Sequence, residues 1–160
     1  MNRRQTLRAG ASLLGLLAAT RLPGPAAFAA GFSVERSEAE WRARLSPAAY
    51  RVLREHGTEP AYTSPLNGEK RSGRFVCAGC DLPLFASETK FESGTGWPSF
   101  YAPLPDAVGT QVDTAYGMRR TEVHCRRCGG HLGHVFDDGP RPTGLRYCMN
   151  GVSLRFEPAA

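Results

Sequence analysis

Two C-x-x-C pairs, Cys77-Ala78-Gly79-Cys80 and Cys125-Arg126-Arg127-Cys128, constrain this chain more than any other feature, because its fold must account for four thiols in two knuckles forty-four residues apart. Knuckles of this spacing supply four thiolates at tetrahedral geometry. Zinc held by four sulfurs keeps no open position and is therefore structural. Two disulfides compete with this reading in an exported chain, and so do thioredoxin-like redox pairs, although the βαβ setting that such pairs need is not visible. The spacing favours zinc. The interval exceeds the roughly 15–20 residues of a simple zinc ribbon, so the ion is expected to clip a long loop shut inside a larger domain.

Committing four of the five cysteines to metal leaves Cys148 alone. An unpaired cysteine in an exported protein is a reactive thiol, half of an intermolecular bridge, or an inert core residue. Its neighbours favour reactivity. In Arg146-Tyr147-Cys148-Met149-Asn150, the two-residue period of a strand puts Arg146, Cys148 and Asn150 on one face and Tyr147 and Met149 on the other. A guanidinium near the sulfur favours the thiolate, which is the nucleophilic form.

Residues 1–30 have a charged start, a weakly apolar middle around Leu13, Leu14, Leu16 and Leu17, and a small-residue end. That is the layout of a signal peptide. Arg3-Arg4 followed by Leu7 and Arg8 resembles a twin-arginine export signal, and Ala27-Phe28-Ala29 resembles a peptidase recognition element, so cleavage is expected near Ala29 or Ala30 and the mature domain spans 31–160. An uncleaved anchor fits poorly, because the apolar run from Ala9 to Ala19 falls short of the roughly twenty residues needed to cross a bilayer. Export of an already folded chain, with the periplasm as its expected destination, would let the metal site fill before its thiols meet an oxidising compartment. The leader also explains the formal charge of +5: removing its four arginines from twenty bases leaves sixteen against fifteen acids. A near-neutral domain argues against nucleic acid as a partner.

Between Glu38 and His56, Trp41, Leu45, Tyr50, Val52 and Leu53 suggest two short helices, the second opened by Ser46-Pro47 as N-cap and first helical residue. Beyond Gly57, alternating apolar residues and the turn signals Leu66-Asn67-Gly68, Asp138-Gly139-Pro140 and Asn150-Gly151 predict short antiparallel strands. The expected strands are Gly73–Val76, Asp113–Met118, Glu122–His124, Leu145–Met149 and Val152–Phe156. A mainly β fold follows.

Three longer segments carry a resemblance: Gly96-Trp97-Pro98-Ser99-Phe100, His131 through Pro140, and Gly144 through Asn150. In identity, order and spacing they resemble the signature segments of the B-type methionine sulfoxide reductases, and the resemblance runs from about Trp41 to Phe156. It implies a β-tent of two small antiparallel sheets with short N-terminal helices, zinc on Cys77, Cys80, Cys125 and Cys128, and Cys148 as nucleophile toward the R epimer of oxidised methionine, free or in proteins. It also implies that His131 and His134 lie in the active site, with His134 the preferred proton donor. Asn150 is expected to donate a hydrogen bond near the sulfur or oxygen, Arg146 to favour the thiolate, and Asp138 to orient a histidine. Trp97 suits an aromatic wall for the substrate methyl, and Phe136 is a second candidate that reads equally well as core.

Many members of this family carry a resolving cysteine just before Gly-Trp-Pro, where this chain has Gly94-Thr95-Gly96. Thr95 cannot attack a sulfenic acid, so the expected cycle uses one cysteine and an external thiol, from a thioredoxin-like protein or a small molecule, acting on a monomer. Two rival readings remain: a zinc-knuckle binding module, drawing on Arg119-Arg120 and Arg126-Arg127, and a thiol oxidoreductase acting on disulfides or peroxides.

Overall fold

The computed structural model describes residues 31–160, and the predicted leader lies outside them. Two helices open this unit: α1, Glu38–Arg44, and α2, Pro47–Glu55. Ser37 and Glu40 satisfy each other's backbone N–H groups in a capping box on α1, while Ser46 caps α2 with Pro47 behind it, as that dipeptide predicts. Trp41 is the one buried residue of α1, and α2 buries Ala49, Tyr50, Val52 and Leu53. Among the described residues no helix is long and apolar enough to cross a membrane.

Nine strands follow: β1 Gly73–Cys77, β2 Pro83–Ala86, β3 Lys90–Phe91, β4 Ser99–Phe100, β5 Val108–Asp113, β6 Arg120–Cys125, β7 His131–Phe136, β8 Arg146–Met149 and β9 Leu154–Pro158. They form two antiparallel sheets, one ordered β2-β1-β9 and the other β3-β4-β8-β7-β6-β5. The expected two-sheet β fold is present. A stack of aromatics packs between the sheets: Phe85 lies face to face with Phe100 at 4.3 Å, and Phe75 meets Phe100 edge-on at 4.9 Å. All three rings are fully buried, so each contributes about 2–3 kcal/mol through removal from water.

The knuckles sit at strand ends, Cys77 closing β1 of the smaller sheet and Cys125 closing β6 of the larger. A metal ion held there would tie the sheets together. Arginines from the helices and from the second knuckle satisfy knuckle carbonyls: Arg44 donates to Gly79, Arg54 to Cys128 and Arg127 to Cys80, each at 3.0 Å. Arg36 and Arg54 also flank the buried Trp41 ring, each 4.9 Å from its centre.

Two strand expectations need correction. Asp113–Met118 is not a strand: Asp113 ends β5, its carboxylate accepts the Ala115 N–H at 2.8 Å, and a short 3-10 turn follows through Gly117. Aspartate binding the backbone two residues ahead is a turn device that the alternating pattern disguised. Likewise β9 begins at Leu154 rather than Val152, because Gly151–Ser153 form a 3-10 turn whose Gly151 and Val152 N–H groups donate to the Glu59 carboxylate. Five strands, β2, β3, β4, β5 and the central β7, were not foreseen.

Candidate active site

The larger sheet assembles the site in two rows across one face. Gln111, Glu122, His134, Cys148 and Ser99 are successive cross-strand partners from β5 to β4, and Asp113, Arg120, Phe136 and Arg146 form the next row. Directly opposed residues in antiparallel strands share a face with Cβ atoms about 4.5–5.5 Å apart. Hairpin register alone therefore sets a thiol beside an imidazole.

Gly133 allows the tight approach of β7 to β8, since a side chain there would overlap the Cys148 carbonyl oxygen.

His131 needs a further device. Residues three apart in a regular strand face opposite sides. Here Val123 pairs with Gly133 but His124 pairs with His131, so Leu132 is an extra residue that turns into the core. The bulge returns His131 to the same side as His134, with the rings 5.4 Å apart.

Each imidazole has its own carboxylate. His134 Nε2 lies 2.8 Å from Asp113 Oδ2, and His131 Nδ1 lies 2.6 Å from Glu122 Oε1. Burial lowers the pKa of His134 below its ordinary value, with the Asp113 carboxylate pulling the other way. The Ala115 N–H, His134 and Arg120 together hold Asp113 far below the usual carboxylate range. Burial pushes Glu122 up, but hydrogen bonds from His131 and Gln111 outweigh it and bring the carboxyl to about 2. Both carboxylates are ionised at neutral pH, which fixes the Asp113-facing nitrogen of His134 as a donor.

Cys148 is half-buried and opens into a cavity of about 120 Å³ with Trp97, Phe136, His134, Arg120 and Asn150 in its walls. Such a volume holds a few water-sized groups. Trp97 is anchored by its Nε1–H, which donates to the Glu59 carbonyl at 3.1 Å. Phe136 lies under the Arg146 guanidinium, 4.5 Å from the ring centre. Asn150 shares the cavity, but its amide is engaged by the backbone: the oxygen accepts the Glu59 N–H at 2.9 Å and the nitrogen donates to the Leu132 carbonyl at 3.0 Å. The sulfur of Cys148 is 3.7 Å from Thr95 Oγ1.

Asp138 does not orient a histidine. It forms a two-pronged pair with Arg146, at 2.8 and 2.7 Å, and so aims the guanidinium. Asp113 and Glu122 take the histidine-facing places instead, and sequence reading missed both. A hairpin across Asp113 and Arg120 would have exposed them, since it sets opposite charges face to face. Arg120 pairs with Asp113 at 2.6 Å, which removes it from the exposed basic residues that suggested a nucleic-acid module.

The remaining four cysteines are buried, with Sγ atoms 3.8 Å apart for Cys77 and Cys128 and 3.5 Å apart for Cys80 and Cys125. Disulfide sulfurs would lie about 2.05 Å apart. A tetrahedron of Zn–S bonds near 2.3 Å spaces its sulfurs by about 3.8 Å, so this donor set fits zinc. All four ligand atoms lie within 4.8 Å of one another.

Fold and site together define a two-sheet β protein with a structural metal site of four cysteines and a separate free thiol facing an aromatic cavity. Residues 45–158 match the SelR domain model. A relative from Leptospira interrogans named peptide methionine sulfoxide reductase MsrB is 54% identical over 127 residues, covering 79% of this chain and 97% of the relative. Relatives of the same name from Agrobacterium fabrum and Methanosarcina barkeri are each 56% identical over 126 residues, covering 78% of this chain and 93% and 89% of those proteins. This chain belongs to the SelR family, the peptide methionine sulfoxide reductases of the B type.

Proposed function

We propose that this protein reduces the R epimer of methionine sulfoxide, free or in proteins, through a sulfenic acid on Cys148 that an external thiol then removes. The observation that carries this reading is the placement of Cys148 beside His134, in a small cavity walled by Trp97 and Phe136. The aromatic wall takes the substrate methyl and leaves the sulfoxide sulfur toward the thiolate. Selection of one epimer follows from fixing methyl and oxygen on opposite sides.

Chemically, the Cys148 proton passes to the free nitrogen of His134, and Asp113 steadies the imidazolium. The Cys148 thiolate, favoured by Arg146, attacks the sulfoxide sulfur. In the resulting adduct the oxygen, gaining the proton from His134, moves to the Cys148 sulfur as the original S–O bond and the new bond between the two sulfurs break, which leaves a sulfenic acid on Cys148 and releases methionine as the thioether. His131 and Asn150 hold the surrounding hydrogen bonds. An external thiol then attacks the sulfenic sulfur, releasing water and forming a mixed disulfide, and a second thiol frees Cys148. Thr95, 3.7 Å away, occupies the place from which an internal thiol would act. Zinc on the four other cysteines supplies structural rigidity.

Residues 1–30 are proposed to export the folded chain by the twin-arginine route and to be removed, and the mature domain is proposed to act as a monomer.

The deciding experiment presents each epimer of a methionine sulfoxide peptide separately, with dithiothreitol as reductant. Turnover of the R epimer alone, abolished in a folded Cys148→Ser variant, supports the proposal. Equal turnover of both epimers, or retained activity in that variant, refutes it.

A further inference from the structure

A second set of metal-ligating atoms converges away from the four cysteines. His56 Nδ1 lies 3.1 Å and His131 Nδ1 2.6 Å from the same oxygen of Glu122, and the three donor atoms are all within 4.8 Å of one another. They arrive from three elements: His56 from the left-handed residue that ends α2, Glu122 from β6 and His131 from β7. Together they line a cavity of about 590 Å³, which shares Thr58, Arg120 and His134 with the Cys148 cavity.

The chemistry at Glu122 is unusual for a hydrogen-bonded carboxylate. Its residue is 3% exposed, and both basic side chains that reach its carboxylate among the described residues are imidazoles. A carboxylate removed from water needs a positive partner. Two imidazole nitrogens directed at one carboxylate oxygen each bring either a proton or a metal ion. Glu55 and Asp113 add acidic groups to the same cavity against the single guanidinium of Arg120.

We propose that His56, Glu122 and His131 form a second divalent-metal site, for a borderline ion such as Zn²⁺, which inhibits the enzyme when filled. Two imidazoles and a carboxylate are a donor set that zinc accepts, its remaining position facing the open cavity. Bonds of about 2.0–2.2 Å hold tetrahedral neighbours about 3.3–3.6 Å apart, so His131 retreats from Glu122 by about 0.7–1 Å and His56 by less. His56, with 61% of its side chain exposed, is free to turn toward the ion. When the metal takes Nδ1 of a neutral imidazole, the proton carried there moves to Nε2, and no oxidant or reductant is involved. The inhibitory consequence rests on the proposed reductase reading, because it comes from fixing His131 beside His134; the binding does not.

The test titrates Zn²⁺ into protein already holding one zinc per chain, in a thiol-free, non-chelating buffer, and follows binding by calorimetry. One further equivalent is expected, weakened at least about tenfold in His56→Ala. That variant removes an exposed side chain and retains sulfoxide reduction without added metal. In a parallel assay with methionine-R-sulfoxide, excess Zn²⁺ slows the parent protein and spares His56→Ala. Absence of a second equivalent, or an equally tight one in His56→Ala, overturns the site; binding without slowed turnover in a protein that reduces sulfoxide overturns the inhibition. If the protein reduces no sulfoxide at all, the reductase reading fails while the calorimetry still decides the site.

Discussion

Replacing Thr95 by cysteine is expected to convert the proposed one-cysteine cycle into an internal disulfide cycle. Thr95 Oγ1 is 3.7 Å from Cys148 Sγ, and a cysteine sulfur would start from nearly the same point. Bond formation at about 2.05 Å requires roughly 1.6 Å of approach. Glycines on either side, Gly94 at φ 72° and Gly96 at φ 92°, supply a backbone that already occupies conformations closed to most residues. The two positions are 53 apart in sequence, so the bridge closes a loop of about 54 residues and stabilises the oxidised form by up to about 4 kcal/mol over the reduced one. With an effective concentration of at least about 1 mM, the introduced thiol competes with millimolar external reductant. The assay is one turnover of methionine-R-sulfoxide without reductant, followed by thiol counting and mass spectrometry. In the parent protein one thiol is consumed and Cys148 carries one oxygen; in Thr95→Cys two are consumed and the added oxygen is absent. A variant that still accumulates the sulfenic acid, with no gain in urea resistance after oxidation, would refute the geometry on which the cycle rests.

Three other outcomes follow from the same structure. Stripping zinc with a chelator, or Cys77→Ser, is expected to unfold the joint between the sheets, with circular dichroism tracking metal loss; a fully folded metal-free protein would remove the structural role. Trp97→Ala is expected to raise KM and to lower kcat/KM by about 10–100-fold, since one methyl-sized contact in an apolar pocket is worth about 1–3 kcal/mol, and unchanged steady-state kinetics would exclude the wall. Asp113→Asn is expected to lower kcat by at least about tenfold with KM little changed, because Asp113 acts through His134. Its folded pKa is depressed below the ordinary 3.8, so its stabilising effect is present above that pH and fades as acid titrates it. The stability gap between parent and Asp113→Asn in urea melts is therefore expected to narrow below about pH 4, and a gap independent of pH would contradict the assignment.

Much of this was legible in the sequence for identifiable reasons. The Cys pairs declared their cluster through spacing, Ser46-Pro47 declared a helix start, and the two-residue period correctly sent Tyr147 and Met149 to the core side of β8. What escaped were contacts between segments. No local pattern announces that Asp113 meets His134 across twenty-one residues or that Glu122 meets His131 across nine, because both pairings depend on how β5, β6 and β7 align. Asp138, expected from the resemblance to orient a histidine, is another such case: the hairpin closing β7 and β8 delivers it to Arg146.

The extra residue at Leu132 has a consequence for reading His-x-x-His elsewhere. That interval is ordinarily taken as one face of a helix, yet here it is pleated chain with a supernumerary residue tucked inward. Deleting Leu132 would shorten the interval to the ordinary strand alternation and keep the two rings together while emptying a place in the core; adding a residue instead would send one ring to the wrong side. A two-residue and a three-residue interval can thus present the same pair of imidazoles, and only the neighbouring strand distinguishes them.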